Sequence, residues 1–147
     1  MVHALEEIHR LLRTQGILLD IHPVPEPPVV QIIDGDDVLF SEPDPGYDYD
    51  DDLRHAEAAV ATVLGRGLYA LDGSRDVDFL THAASSKELR DHFASAGAYD
   101  PAPKDPTLVA HQEELYGRVD ESMARSSDSA EVVYNERARL NRLLPLR

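Results

Sequence analysis

The chain has 147 residues and a mass of 16.3 kDa, the size of one compact domain, and 42% hydrophobic residues suffice to bury a core. Its 28 acidic and 14 basic residues give a formal charge of −14, which opposes binding to phosphate backbones and anionic lipid. The absence of cysteine excludes disulfides, thiolate metal sites, iron–sulfur clusters and a cysteine nucleophile. A single domain over 1–147 is therefore expected, with no nucleic-acid and no membrane partner. The opening Val2-His3-Ala4-Leu5-Glu6-Glu7 is polar within six residues and gives no signal-peptide pattern, so the expected location is the cytoplasm.

Leu5, Ile8 and Leu12 recur at helical intervals among charged residues and predict an amphipathic helix over 2–13, ended near Gly16. Ile17-Leu18-Leu19-Asp20-Ile21-His22 reads as a buried, parallel-type strand that Pro23 stops. Four prolines within 23–28 then require an extended connection. Val29–Ile33 and Val38–Ser41 flank Asp34-Gly35-Asp36-Asp37, and the Asp-Gly pair predicts a hairpin with positive φ values at its turn.

A helix is expected from Asp51 to about Leu64, followed by a second hairpin, Gly67–Leu71 and Val77–Thr81, around Asp72-Gly73-Ser74. Ser85 or Ser86 can cap a helix over 87–96 with Leu89, Phe93 and Ala96 inward. After a proline-rich connector, Leu115, Val119 and Met123 form the inward stripe of a helix over 108–123. Ala130–Tyr134 suggests a last strand, and Glu136–Leu143 a basic segment, helical or extended. No internal repeat is evident.

Two stretches carry a resemblance. Ala4 to Pro23, a helix leading through Leu12-Arg13-Thr14-Gln15-Gly16 into Ile17-Leu18-Leu19-Asp20-Ile21-His22, resembles the passage into the fifth strand of class I S-adenosylmethionine-dependent methyltransferases. In that family the turn reads leucine-arginine-proline-glycine-glycine, so the proline and the first glycine are replaced here. Ser85-Ser86-Lys87-Glu88-Leu89 through Ala96-Gly97 looks like a later helix of the same family, in the same order. The resemblance implies an α/β fold: a partial Rossmann-like half-sheet with mixed strands, hairpins and flanking helices, equivalent to the C-terminal half of the family's domain. The family's glycine-rich loop and ribose-binding acid would precede Met1. No cofactor-binding position can be carried over, and Gly65-Arg66-Gly67 does not open a helix toward a phosphate. S-adenosylmethionine would bind only if a partner supplied the missing half, and whether the chain is an enzyme stays open. An unpaired strand at 17–21 would need cover, from a second copy, from a complementing chain or from the chain's own hairpins.

Residues 34–52 hold nine acids and no base, nearly two thirds of the excess negative charge. Their prolines and glycine predict a solvated loop and helix cap, and Asp48, Asp50, Asp51 and Asp52 could form an acidic docking loop for a basic partner. EF-hand spacing is absent. The seven histidines show no paired metal-ligand spacing, so no metal is expected. Asp20 and His22 fall on one side of a strand end and, with Tyr47, could line a substrate cleft, because open α/β sheets bind ligands at strand ends. The serines lack a nucleophile-elbow pattern. The terminal Arg137, Arg139, Arg142 and Arg147 could meet an acidic surface, the chain's own 42–52 among the candidates. The function expected is that of a truncated methyltransferase-like protein acting by binding or self-association. The alternatives are half of an active methyltransferase completed by another chain, and an acidic interaction module.

Overall fold

In the computed structural model, residues 1–46, 50–96 and 105–147 are described, with 50–52 described in their backbone alone. The fold is mixed α/β: α1 (Val2–Leu11), β1 (Leu18–Pro23), β2 (Val29–Asp34), β3 (Asp37–Pro43), α2 (Asp50–Gly65), β4 (Tyr69–Ala83), α3 (Ser86–Ala96), α4 (Pro106–Met123) and β5 (Glu131–Pro145). The five strands form one sheet ordered β1-β5-β2-β3, with β4 also on β5. The chain divides into two compact units. Met1–Glu26, Tyr49–Asp78 and Arg137–Arg147 make the first, and Pro27–Asp48 and Phe79–Glu136 the second, so β4 and β5 each run from one into the other.

In the first unit the C-terminal part of β5 pairs antiparallel with β1, from Leu18 opposite Leu143 to Pro23 opposite Ala138. The chain thus supplies its own partner for the apolar strand, and the terminal basic segment is the strand that does so. The strand expected to be of parallel type is antiparallel to its neighbour, as are the other registered pairings. The core is Leu5 of α1, Ala59, Val60 and Val63 of α2, Tyr69 and Leu143, with Leu18 packed against it. Tyr69 satisfies its buried hydroxyl by donating to the Leu5 carbonyl at 2.9 Å.

The second unit builds its core from Val30, Ile32, Leu89, Leu115, Tyr116, Val119, Val132 and Tyr134, with Phe40, Phe93 and Met123 at its margin. The inward stripe expected of the helix over 108–123 is found on α4, joined by Tyr116. Asp105 caps α4, accepting from the Thr107 backbone at 2.7 Å, and Pro106 opens it. Ser85 is the cap of α3: its hydroxyl takes the Glu88 N–H at 3.2 Å while Glu88 returns to the Ala84 N–H at 2.8 Å.

The first hairpin forms as expected, β2 on β3 with Asp34 opposite Asp37. Its turn differs, because only Gly35 has a positive φ, +61°, and no non-glycine residue does. Glycine at the first of two central positions is the type II′ arrangement, whose twist suits adjoining strands without a left-handed aspartate.

Three expectations are corrected. The second hairpin is absent: Tyr69–Ala83 is one strand of 15 residues, in which Gly73 has no positive φ, and its pairing with β5 replaces the turn. The strand at 17–22 is not covered on both faces, since Leu19 is 60% and Ile21 66% exposed. Ala96 is exposed rather than inward.

Candidate functional site

β1 alternates its side chains between two faces, and its inward positions read Leu18, Asp20, His22. Leu18 joins the helix-packed core, while Asp20 and the buried His22 continue the same face as polar groups. Opposite them in register on β5 stand Asn141 and Arg139. β4 contributes Ser74 and Asp76. Three strands thus place polar residues two apart at one end of the first unit, with His22 and Asn141 buried and Ser74 and Asp76 exposed.

The hydrogen bonds run as a chain. Ser74 donates its hydroxyl to Asn141 Oδ1 at 2.7 Å, Asn141 Nδ2 donates to Asp20 Oδ2 at 2.9 Å, and His22 Nδ1 donates to the same oxygen at 2.9 Å. In the neutral ring this leaves Nε2 as an acceptor. Among the described residues, His22 Nε2 is one of two buried side-chain polar atoms without a partner; the other is Asn135 Oδ1.

Beside the dyad, Arg139 forks onto Asp76 with Nε and Nη2 at 2.8 and 3.0 Å, and its Nη1 donates to Glu57 of α2 at 2.8 Å. The hydrogen bonding from Arg139 holds the Asp76 carboxyl below its usual value, against the opposing effect of burial. Arg137 adds Glu26 at 3.1 Å, and Arg142 pairs with Asp72 at 3.2 Å. Arg147 donates to the His9 and Leu12 carbonyls that end α1. The terminal arginines therefore meet Glu26, Glu57, Asp72, Asp76 and helix carbonyls within the first unit.

Asp20 and His22 are brought together as expected. Tyr47, the third expected cleft residue, lies outside the described residues, as does Asp48. Asp50, Asp51 and Asp52 start α2, and their side chains are likewise outside the described set. The sequence reading missed Ser74, Asp76 and Asn141, and gave Arg139 only as one of the terminal arginines that could meet an acidic surface. Their signal is the polar alternation within otherwise β-prone runs, hidden for Ser74 and Asp76 by the hairpin assigned to them.

The arrangement is an Asp–His dyad whose Nε2 has no partner among the described residues, the Ser74 hydroxyl donating to Asn141 rather than to it. Among the described residues no group of three or more histidine, aspartate or glutamate side chains is placed to hold a metal ion, and no helix is long and apolar enough to cross a membrane.

Charge divides unevenly between the units. The first holds eleven acids and nine bases, a formal −2, and the second seventeen acids and five bases, a formal −12. Eight of the exposed large apolar side chains belong to the first unit: Met1, Ile8, Leu11, Ile17, Leu19, Ile21, Leu71 and Leu146.

No protein-family model matches the chain, and neither a curated protein nor a solved structure matches it.

Proposed function

We propose that this chain acts by binding, chiefly to itself, and does no chemistry alone, as a methyltransferase-like C-terminal half of Rossmann-like descent. The observation that carries the reading is the first unit's combination of eight exposed large apolar side chains with a net charge of only −2. Exposed apolar surface favours association, and surface charge on the first unit opposes it less than the −12 of the second unit would. The test is a titration of S-adenosylmethionine into the pure chain with thermal unfolding as readout, beside sedimentation over a concentration series. A self-sufficient site saturated at 100 times its dissociation constant would add about 2.7 kcal/mol, so an unmoved unfolding temperature together with concentration-dependent mass supports the reading.

The second reading is half of an active methyltransferase whose companion chain brings the cofactor site, and the buried, unpartnered His22 Nε2 favours it. Held by Asp20, that nitrogen has the form of a general base awaiting a donor. A companion that restores methyl transfer to the wild type but not to His22→Gln would establish it over the first.

A further inference from the structure

α1 has ten residues, of which Leu5 alone is buried; no side chain caps its N-terminus and its first turn carries no acid. A helix this short is marginal in water, so it forms where packing and end contacts supply the stability. Leu5 packs into the core of Ala59, Val60, Val63, Tyr69 and Leu143, and its carbonyl accepts the Tyr69 hydroxyl. The Glu6–Arg66 ion pair is exposed to solvent and adds little. At its C-terminal end α1 is met by the two residues after β5. The Leu146 N–H donates to the Leu68 carbonyl at 2.8 Å, the Leu146 carbonyl accepts from His9 Nε2 at 2.8 Å, and Arg147 donates to the His9 and Leu12 carbonyls. A cation on the last carbonyls of a helix satisfies their lone pairs and complements the helix dipole.

We propose that α1 is a strap that opens as a unit about residues 12–17, that Leu146 and Arg147 are its latch, and that the seat beneath it accepts an amphipathic helix of α1's own pattern. The inference goes beyond the self-association reading, because it concerns a groove that α1 itself fills. A segment with one buried anchor and solvent-exposed hydrogen bonds is the first to open. The rest of the first unit keeps its own supports: β1 stays paired with β5 from Leu18 to Pro23, and Val60, Val63, Tyr69 and Leu143 share one core cluster. Opening bares those four side chains, frees the Tyr69 hydroxyl to donate, and parts Arg66 from Glu6 and Arg147 from the helix carbonyls. That chemistry selects the occupant, a helix with a leucine in the place of Leu5 and a C-terminal end whose carbonyls face Arg147, with the two arginines favouring carboxylates over cations beside them. α1 occupies the seat in cis, and its short link to β1 keeps it at high local concentration, so a helix in trans binds only as the strap opens.

The experiment is native-state hydrogen exchange on the full chain, wild type and Arg147→Ala, read by mass spectrometry. In the wild type the amides of α1 should exchange ahead of those of β1 and of the part of β5 paired with it. Arg147→Ala should speed α1 about 10-fold, as loss of a charge-assisted hydrogen bond does, and leave the β1–β5 ladder unmoved. The seat is probed by fluorescence anisotropy with a labelled peptide of the sequence 2–13. It should bind a Leu5→Ala chain, whose own strap has lost its anchor, about 10-fold more tightly than the wild type, and the peptide carrying Leu5→Ala should lose that binding. Exchange of α1 in step with β1 overturns the strap, and an α1 rate unchanged in Arg147→Ala overturns the latch. Equal peptide affinity for the wild type and the Leu5→Ala chain overturns the seat. A Leu5→Ala chain that fails to fold overturns the proposal as well, because the rest of the first unit then depends on α1. Each of these outcomes leaves the self-association reading to its own test by mass.

Discussion

His22 and Asp20 share a hydrogen bond of 2.9 Å on the inward side of β1, and the same carboxylate oxygen is held at 2.9 Å by Asn141 of the neighbouring strand. The dyad is fixed from both sides, and Asn141, itself tied to Ser74, is the link between strands. Asn141→Ala removes a donor from Asp20 and an acceptor from Ser74 in a buried position, and should cost about 1–3 kcal/mol. Ser74→Ala removes one neutral hydrogen bond and should cost about 0.5–1.5 kcal/mol. Urea unfolding of the two variants checks both the order and the size.

The second unit should weaken in alkali. Burial, and after it the nearby Asp44 carboxylate, push the Tyr116 phenol up to about 12, and the same causes raise Tyr134, which donates to Asp44 at 3.1 Å. A phenol raised in the folded state contributes its stability below the usual value of 10.0, and the contribution fades as pH rises from there through the folded value. The unfolding free energy should therefore decline steadily from about pH 10 upward. Tyr134→Phe should flatten that decline while costing about 1 kcal/mol at neutral pH through the lost bond to Asp44. Absorbance of phenolate against pH, run beside unfolding curves, separates the two effects.

Asp76 sets the opposite limit. Arg139 holds its carboxyl below the usual 3.8, so its contribution is present above that value and is lost as pH falls through the lower folded value. Arg139→Gln should return the Asp76 titration midpoint toward 3.8, followed by side-chain carboxyl NMR; a midpoint unchanged in the variant would show that Arg139 is not the cause.

Gly35 carries a φ of +61° at the β2–β3 turn. A Cβ there meets no neighbouring atom, so Gly35→Ala tests backbone strain alone. It should destabilise the chain by about 1–2 kcal/mol. Gly35→Asn, which tolerates the left-handed region better, should cost less in the same chemical denaturation series.

The helices and the first hairpin were legible because each has a local cause: apolar spacing at 5, 8 and 12, a serine ahead of Glu88, a glycine between two β-prone runs. The long strands were not. Asp72-Gly73-Ser74 has the composition of a turn, and only its pairing with β5, a partner far along the chain, keeps it extended. The basic stretch at 136–143 gave no local preference, yet it is the strand that closes β1. The Asp20–His22 pair could be read from two-residue spacing on one strand, but Asn141, Ser74 and Arg139 enter through long-range pairing that local pattern does not carry. The negative charge read as one acidic loop, whereas the fold divides it as −2 and −12 between the units.

The most direct test of the account is the mass of the chain in solution as a function of concentration. The account predicts a wild type moving toward twice 16.3 kDa. A wild type that stays at 16.3 kDa at every concentration would contradict it.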